Sequence, residues 1–147
     1  MNNESIVIYD SYSGNTQKVA EKIAEGLGCE AVSIRDFKVE NLERFGLIVI
    51  GSPINGGKAT KRIKGFVRAV PSSSKYALFC TFGAPGWGSL SCKLAFYFLK
   101  NKTPGQFVAS FRCRGYHQIL KTFEGHPNGP DLAAARSFGA NLKSVLG

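Results

Sequence analysis

A cluster of hydroxyl and amide side chains follows the first apolar run of the chain, residues 6–9. The cluster comprises Ser11, Ser13, Asn15 and Thr16, with Gly14 among them. A helical apolar pattern begins directly afterwards. The first backbone N–H groups of a helix have no intrahelical partner, and the macrodipole adds partial positive charge there. The pattern therefore predicts a phosphate-binding turn, with simple helix capping by serine and threonine as the alternative.

The composition of this turn also limits the kind of phosphate that it would bind. Residues 11–16 contain no Lys or Arg. A phosphate would therefore be held by dipoles and hydrogen bonds alone. This suits a buried monoester better than an exchanging triphosphate, which usually needs a Lys and Mg²⁺.

The segment Ser11-Tyr12-Ser13-Gly14-Asn15-Thr16 resembles the phosphate loop of the flavodoxin family, in its loose form Thr/Ser-x-Thr-x-x-Thr. In that family the loop wraps the phosphate of FMN. The resemblance spans essentially the whole chain, because residues 111–115 and 125–132 are similar to a small group of short flavodoxin-like proteins. It implies FMN as the cofactor and all six loop residues as part of its binding site.

Strand and helix patterns alternate along the 147 residues, without a long linker, repeat or low-complexity tract. Apolar runs predict strands over residues 5–10, 30–34, 47–50, 76–82 and 107–111. Helical spacing predicts a first helix that is ended by Gly26 and Gly28, then helices over 60–70 and 89–99 and a last helix from about 130. We expect one α/β domain, 1–147, a flavodoxin-like sandwich. Its parallel sheet has the order 2-1-3-4-5 with helices on both faces.

Ligands of such a sheet bind beyond the carboxyl ends of the strands, where the strand order reverses. The resemblance implies that the Gly/Pro-rich loops after the third and fourth strands hold the isoalloxazine ring of FMN. Glycines there free backbone polar groups for hydrogen bonds, and an aromatic side chain covers a ring face. The predicted contacts are Ser52, Pro53, Ile54, Asn55, Gly56 and Gly57 in the first loop, and Phe82, Gly83, Ala84, Gly86, Trp87 and Gly88 in the second.

Trp87 is the only tryptophan and lies between two glycines. We predict that it stacks on the flavin or forms its rim; a tryptophan packed on the surface is the alternative. The first loop contains Pro53 and Ile54 but no aromatic residue. In this respect it resembles the flavodoxin-like quinone reductases more than the simplest electron carriers. Tyr12 is a candidate for additional cover of the ring.

The sequence contains few of the residues that other kinds of catalysis require. Residues 52–59 nearly match the G-x-x-x-x-G-K-[ST] loop but lack its first glycine and its final hydroxyl, which argues against a nucleotide triphosphatase. There is no G-x-S-x-G elbow and no histidine at a metal-ligand spacing, so neither a hydrolase nor a zinc enzyme is indicated. His117 and His126 are interpreted as surface or capping residues, and Asp10 as a strand-end residue rather than a general base.

Cysteine usage and the N-terminal residues bear on the compartment. The four cysteines form no C-x-x-C pair and lie in or beside apolar runs, so we expect reduced, mostly buried thiols and no metal. The N-terminal residues show no basic region, and the apolar run after them is only as long as a strand. No signal peptide or membrane span is therefore expected, and we predict a cytoplasmic protein.

Charge is distributed unevenly along the sequence. The formal net charge is +9, yet residues 1–43 have a balance of −4. Residues 44–123 contain thirteen basic residues and no acidic one. Flavodoxins as a family tend to be acidic, so this chain departs from the family in its charge. We expect acidic redox proteins as partners, no specific nucleic acid and no membrane, and a monomer or weak dimer.

Two functions remain from the sequence. The first is an FMN-binding electron carrier that moves low-potential electrons between redox partners, without being an enzyme. The alternative is a small FMN-dependent NAD(P)H:quinone or flavin oxidoreductase. The intact hydroxyl-rich loop and the two glycine-rich loops argue against a third interpretation, an interaction module that has lost its cofactor.

Overall fold

The computed structural model describes residues 4–83, 88–116 and 123–146. Its five strands form one parallel sheet in the order β2-β1-β3-β4-β5, as predicted. The strands are β1 (Ser5–Tyr9), β2 (Ala31–Ser33), β3 (Leu47–Ile54), β4 (Lys75–Phe82) and β5 (Gln106–Arg114). The helices are α1 (Asn15–Leu27), α2 (Lys61–Phe66), α3 (Gly88–Lys102) and α4 (Gly129–Leu146).

Alternating side chains of the central strands supply two separate cores. On β1, Ile6 and Ile8 belong to one apolar cluster, whereas Val7 belongs to the other. The first cluster includes Ile63 of α2, and the second includes Val19 of α1. Because successive strand residues point to opposite faces, helices cover both faces of the sheet and every central strand is buried.

Several predicted boundaries are corrected by the structure. A 3₁₀ helix, Val39–Arg44, connects β2 to β3, and α2 is shorter than predicted and is continued by a 3₁₀ turn, Val67–Ala69. The strand β3 continues to Ile54, well beyond the predicted end at Gly51. It can do so because β4 pairs with it along its whole length, up to Ile54 opposite Phe82.

Gly26 does not end α1, contrary to the prediction; Gly28 alone forms the C-cap. A Cβ at Gly26 would lie 1.9 Å from the carbonyl oxygen of Arg136 on α4. A Cβ at Gly139 of α4 would lie 2.0 Å from the carbonyl oxygen of Ile23 on α1. The two glycines thus let α1 and α4 pack backbone against backbone, which fixes the C-terminal end of α1 against α4.

Candidate cofactor site

A cleft of about 310 Å³ opens at the carboxyl edge of the sheet, beside β1 and β3, the neighbouring strands at which the strand order reverses. Among the described residues four segments line it, each at the carboxyl end of a different strand. The lining residues are Tyr12, Ser13 and Asn15; Pro53, Ile54 and Asn55; Thr81, Phe82 and Gly83; and Gly115 and Tyr116. The cleft therefore brings together members of all three loops singled out in the sequence, and adds a fourth.

The loop after β1 forms a turn that ends at the N-cap of α1. Gly14 occupies that cap with φ 92°, a left-handed conformation that favours glycine. Its N–H donates to the hydroxyl of Ser11 at 3.1 Å, so this hydroxyl closes the turn. A Cβ at Gly14 would have no heavy atom within 4 Å. The Cα of Gly14 therefore faces open space, and the residues on either side of it, Ser13 and Asn15, line the cleft.

The first turn of α1 is tied to two neighbouring strands by side chains. Thr16 is buried, and its hydroxyl oxygen lies 2.8 Å from that of Thr81 near the end of β4. The amide of Asn15 donates to the carbonyl oxygen of Tyr116 at 3.2 Å. A Cβ at Gly115 would already lie 3.1 Å from the Nδ2 atom of Asn15, so the glycine permits this approach. Asn15 and Thr16 thus hold the helix terminus in place.

The loop after β3 is a tight hairpin. The N–H of Asn55 donates to the carbonyl of Lys58 at 3.0 Å, and the N–H of Lys58 donates back at 3.1 Å. Between them Gly56 and Gly57 have φ values of 58° and 76°, as a two-residue hairpin turn of this kind requires. The hairpin presents Asn55 to the cleft, whereas Gly56 and Gly57 form its tip and do not line the cleft.

The hydroxyl of Ser52 stabilises this hairpin. Its buried hydroxyl accepts from the N–H of Thr60 at 3.0 Å and donates to the carbonyl of Pro53 at 2.8 Å. Thr60 in turn caps α2 by accepting from the N–H of Ile63 at 3.3 Å. The hydroxyl of Ser52 is therefore occupied in joining the hairpin to α2, away from the cleft.

The loop after β4 is described only in part. Phe82 and Gly83 line the cleft, and Gly88 is the buried first residue of α3. The predicted contacts Ala84, Gly86 and Trp87, and also His117, lie outside the described residues. Their assignment stays a prediction.

Sequence reasoning missed Thr81, Gly115 and Tyr116. The predicted end of β5 at residue 111 left Gly115 far from the sheet edge, whereas the strand runs to Arg114. The N–H of Gly115 then donates to the carbonyl of Phe82 at 2.9 Å, which places the following Tyr116 at the cleft. The resemblance of residues 111–115 to short flavodoxin-like proteins was the one signal that could have drawn attention to this segment.

Asp10 and His126 take the structural places predicted for them. Asp10 is fully buried just after β1, does not line the cleft, and has an Oδ2 atom 3.8 Å from the Arg62 guanidinium. Among the residues that the structure describes, its carboxylate accepts no hydrogen bond. His126 contacts Asp131 at 2.5 Å, and Asp131 exchanges hydrogen bonds with Asn128 at the start of α4. That reciprocal pair is a capping box, so His126 belongs to a helix cap.

Most of the cysteines are buried, as predicted. Cys80, Cys92 and Cys113 are buried and free, and Cys29 is half-buried and free. Burial is the main cause that raises the pKa of Cys113 to about 12, with the charge of Asp131 adding to it. Within the described ranges no group of His, Cys, Asp and Glu could hold a metal ion. None of the helices described is long and apolar enough to cross a membrane.

A sequence model of the flavodoxin domain matches residues 6–86, more than half of the chain. The chain belongs to the flavodoxin family. This match includes the loops after β1 and β3 and the described part of the loop after β4. An uncharacterized protein of Methanocaldococcus jannaschii is 33% identical over 151 residues, which cover 97% of this chain and 98% of that protein.

Solved structures of flavodoxins share the fold. A flavodoxin from the domain Archaea superposes with a TM-score of 0.69 at 21% identity, over 97% of each chain. A flavodoxin, WrbA-like protein from Agrobacterium tumefaciens gives 0.73 at 19% identity, over 97% of this chain and 96% of that one. Oxidised flavodoxin 1 from Bacillus cereus gives 0.69 at 20% identity, over 95% and 97%. These likenesses extend over nearly the whole of each molecule.

The geometry of the cleft fits the FMN that flavodoxins generally bind. The N-cap of α1 lies between two residues that line the cleft, Ser13 and Asn15, so the backbone donors that a terminal phosphate needs begin there. Apolar side chains of Pro53, Ile54 and Phe82 line the cleft beyond it, as a flat ring system requires. None of the described residues that line the cleft is acidic, so none of them would repel a phosphate.

Proposed function

We propose that this protein binds FMN in the cleft and carries low-potential electrons between redox partners. The observation that carries the proposal is the Gly14 turn. The residues on either side of this N-cap, Ser13 and Asn15, line the same cleft as Pro53, Ile54 and Phe82, so the 13-residue helix α1 begins at the cleft. A helix terminus at a cleft favours a phosphate, and the apolar walls favour a ring.

The residues of the chain would divide the binding between them. Backbone N–H groups at the start of α1 and the hydroxyl of Ser13 would hold the phosphate. Asn15 and Thr16 act indirectly, because their side chains fix the helix terminus through Tyr116 and Thr81. Pro53, Ile54 and Phe82 would exclude water from the ring, and the exposed side chain of Asn55 would supply polar contacts at its edge.

FMN, when bound, supplies the capacity to accept and release electrons one or two at a time. The chain contributes position and electrostatics to this chemistry. The Arg62 guanidinium partly offsets the buried charge of Asp10 behind the loop. The acid-free segment 44–123 includes the hairpin after β3 and the loop after β4, so a positive field is expected around the ring. Acidic redox proteins are accordingly the proposed partners, and the cytoplasm the proposed location.

One observation favours the second candidate, an NAD(P)H:quinone or flavin oxidoreductase. The hairpin after β3 presents Pro53 and Ile54 to the cleft and no aromatic ring. One face of a bound flavin would then be covered by aliphatic groups only. Such cover leaves more freedom for a second flat molecule to stack on the ring.

Flavin binding tests the proposed cofactor, and turnover of NADPH then tests which of the two functions applies. The purified protein should be yellow, and the apoprotein should bind FMN with an affinity at least about tenfold higher than that for riboflavin, because only FMN has the phosphate. Fluorescence of Trp87 should fall strongly on FMN binding if it covers or rims the ring. An apoprotein that binds neither flavin would contradict the proposal and favour an interaction module.

Turnover then separates the two functions. An electron carrier should show slow oxidation of NADPH with a quinone acceptor, and fast exchange of electrons with an acidic redox protein. Rapid and saturable NADPH oxidation by the FMN-loaded protein would instead establish the oxidoreductase.

A further inference from the structure

The outward face of α3 carries a stripe of large apolar side chains. Leu90, Leu94, Tyr97 and Phe98 are exposed to 56%, 48%, 58% and 55%. Their spacing of i, i+4, i+7 and i+8 places them on one side of the helix. Elsewhere in the described chain only Tyr12 and Val39 are large, apolar and similarly exposed. Single exposed apolar residues are ordinary, whereas a contiguous stripe marks an interaction site. We call these four residues the α3 stripe.

A groove of about 270 Å³ runs beside the stripe. Its apolar wall comprises Ala95, Phe98 and Leu99 of α3, and its other wall comprises the hairpin tip with Ala59 and the stem of Lys64. Phe98 belongs to both the stripe and the groove. The groove is therefore a recess in which an apolar side chain of a partner could be buried next to the stripe.

Lysines border this surface on every side. Helical periodicity puts Lys93 and Lys100 along one edge of the stripe and Lys102 along the other, and Lys58 and Lys64 face Lys102 across the groove. Lys100 also lies over the Phe107 ring at 4.5 Å. Within the described residues none of the five lysines forms an ion pair. No acidic residue occurs between 44 and 123, so the sequence neighbours of these lysines do not offset their charge.

We propose that the α3 stripe and its groove dock a protein partner that presents an apolar helix edged by Asp and Glu. Charge complementarity selects this occupant, because carboxylates would meet the lysine border on both sides. A second copy paired symmetrically would place lysines against lysines. A lipid bilayer would meet the stripe as a flat surface and leave the recess between Phe98 and Lys64 unfilled.

The hairpin after β3 connects this surface to the cofactor cleft. Asn55 lines the cleft, and Lys58, with which it exchanges two hydrogen bonds, lines the groove. A partner seated on the α3 stripe thus docks beside the cleft. That this partner gives or takes electrons rests on the proposed function, whereas the docking itself does not.

A synthetic helical peptide serves as the probe. It has a Leu/Phe stripe edged by Glu and a fluorescent label, and its control has the same stripe edged by Lys. We expect the full-length protein to bind the acidic peptide, with or without FMN, and to bind the basic one at least about tenfold more weakly. Backbone NMR shifts should map to α3 and to the hairpin. Salt should weaken the binding.

Paired variants locate the interaction. Phe98→Ser should weaken peptide binding about tenfold or more, and Val39→Ser, an equally exposed apolar site elsewhere, should leave it unchanged. The double variant Lys64→Glu/Lys102→Glu should also weaken peptide binding about tenfold or more. Lys18→Glu/Lys143→Glu changes the net charge equally and should weaken peptide binding much less. Thermal unfolding shows whether each variant is folded.

Four outcomes would overturn the proposal. The first is equal binding of both peptides. The second is an equal weakening of peptide binding by a variant and by its control. The third is self-association in analytical ultracentrifugation that Phe98→Ser abolishes, which would identify a second copy as the occupant. The fourth is binding to vesicles of anionic phosphatidylserine, lost in Phe98→Ser, without any binding of the peptide. Failure of FMN binding would leave the peptide result intact, so the two proposals fail separately.

Discussion

Replacing Gly14 by alanine tests the phosphate loop at its most sensitive position. The φ of 92° imposes a left-handed conformation, which costs an alanine about 1–2 kcal/mol. The new Cβ meets no protein atom within 4 Å, so the apoprotein should lose only that amount of stability. The methyl group would, however, project into the open space at the N-cap of α1, beside the proposed phosphate site. Losing even one charged hydrogen bond to a phosphate costs about 1.5–3 kcal/mol. A loss of about 2 kcal/mol raises the Kd for FMN about 30-fold.

Gly28→Ala is the matched control. Gly28 ends the same helix with φ 82°, and a Cβ there would only touch the Lys143 side chain at 4.0 Å. Urea unfolding of the two apoproteins should therefore show similar losses of stability. Titration with FMN and with riboflavin should separate them. We expect Gly14→Ala to weaken FMN binding alone, and Gly28→Ala to weaken neither. Equal weakening of FMN and riboflavin by Gly14→Ala, or an equal effect of Gly28→Ala, would refute the assignment of the loop to a phosphate.

Three further predictions concern packing, pH and charge. Gly139→Ala should lower the free energy of unfolding by about 1–3 kcal/mol in urea, since its Cβ would lie 2.0 Å from the backbone of Ile23, whereas Gly129→Ala, with open space, should not lower it through packing. The Cys113 thiol has its pKa raised from 9.0 to about 12, so the unfolded chain loses this proton first and stability should fall between about pH 9 and pH 12. Cys113→Ala should make that decline shallower in urea titrations at each pH. A unit positive charge about 10 Å from the ring, with an effective dielectric of about 40, contributes about 0.8 kcal/mol, or on the order of 35 mV for one electron. Potentiometry should therefore give a bound-flavin potential less negative than that of acidic flavodoxins, which falls as salt is added; a value insensitive to salt would show that local contacts dominate.

The central strands were predictable because β1, β3 and β4 each contain an unbroken apolar run, and the order of the sheet followed from the resemblance to flavodoxins. Residues 47–50 illustrate this, since a run buried on both faces fits only the centre of a parallel sheet. The ends of the strands were less predictable. The sequence Gly51-Ser52-Pro53 looks like a loop, yet it continues β3 because β4 supplies partners for it. A Cβ at Gly51 would overlap the Phe79 ring at 1.9 Å, so the glycine is there for packing against β4 rather than for a turn.

Local sequence predicts the cleft residues that act within their own turn, but not the effect of those that act through a distant contact. Ser13 and Gly14 act through their own turn, and short-range pattern is sufficient to find them. Thr16 is different, because its hydroxyl is directed to Thr81, which lies 65 residues away in the sequence. Its effect on FMN should therefore pass through the position of α1 and not through a direct contact. Thr16→Ala should accordingly weaken FMN less than Ser13→Ala does, and it should destabilise the apoprotein more, by roughly 1–3 kcal/mol, because it leaves the buried hydroxyl of Thr81 without this partner. The reverse order in the two titrations would show that the Thr16 hydroxyl turns to the phosphate when FMN binds.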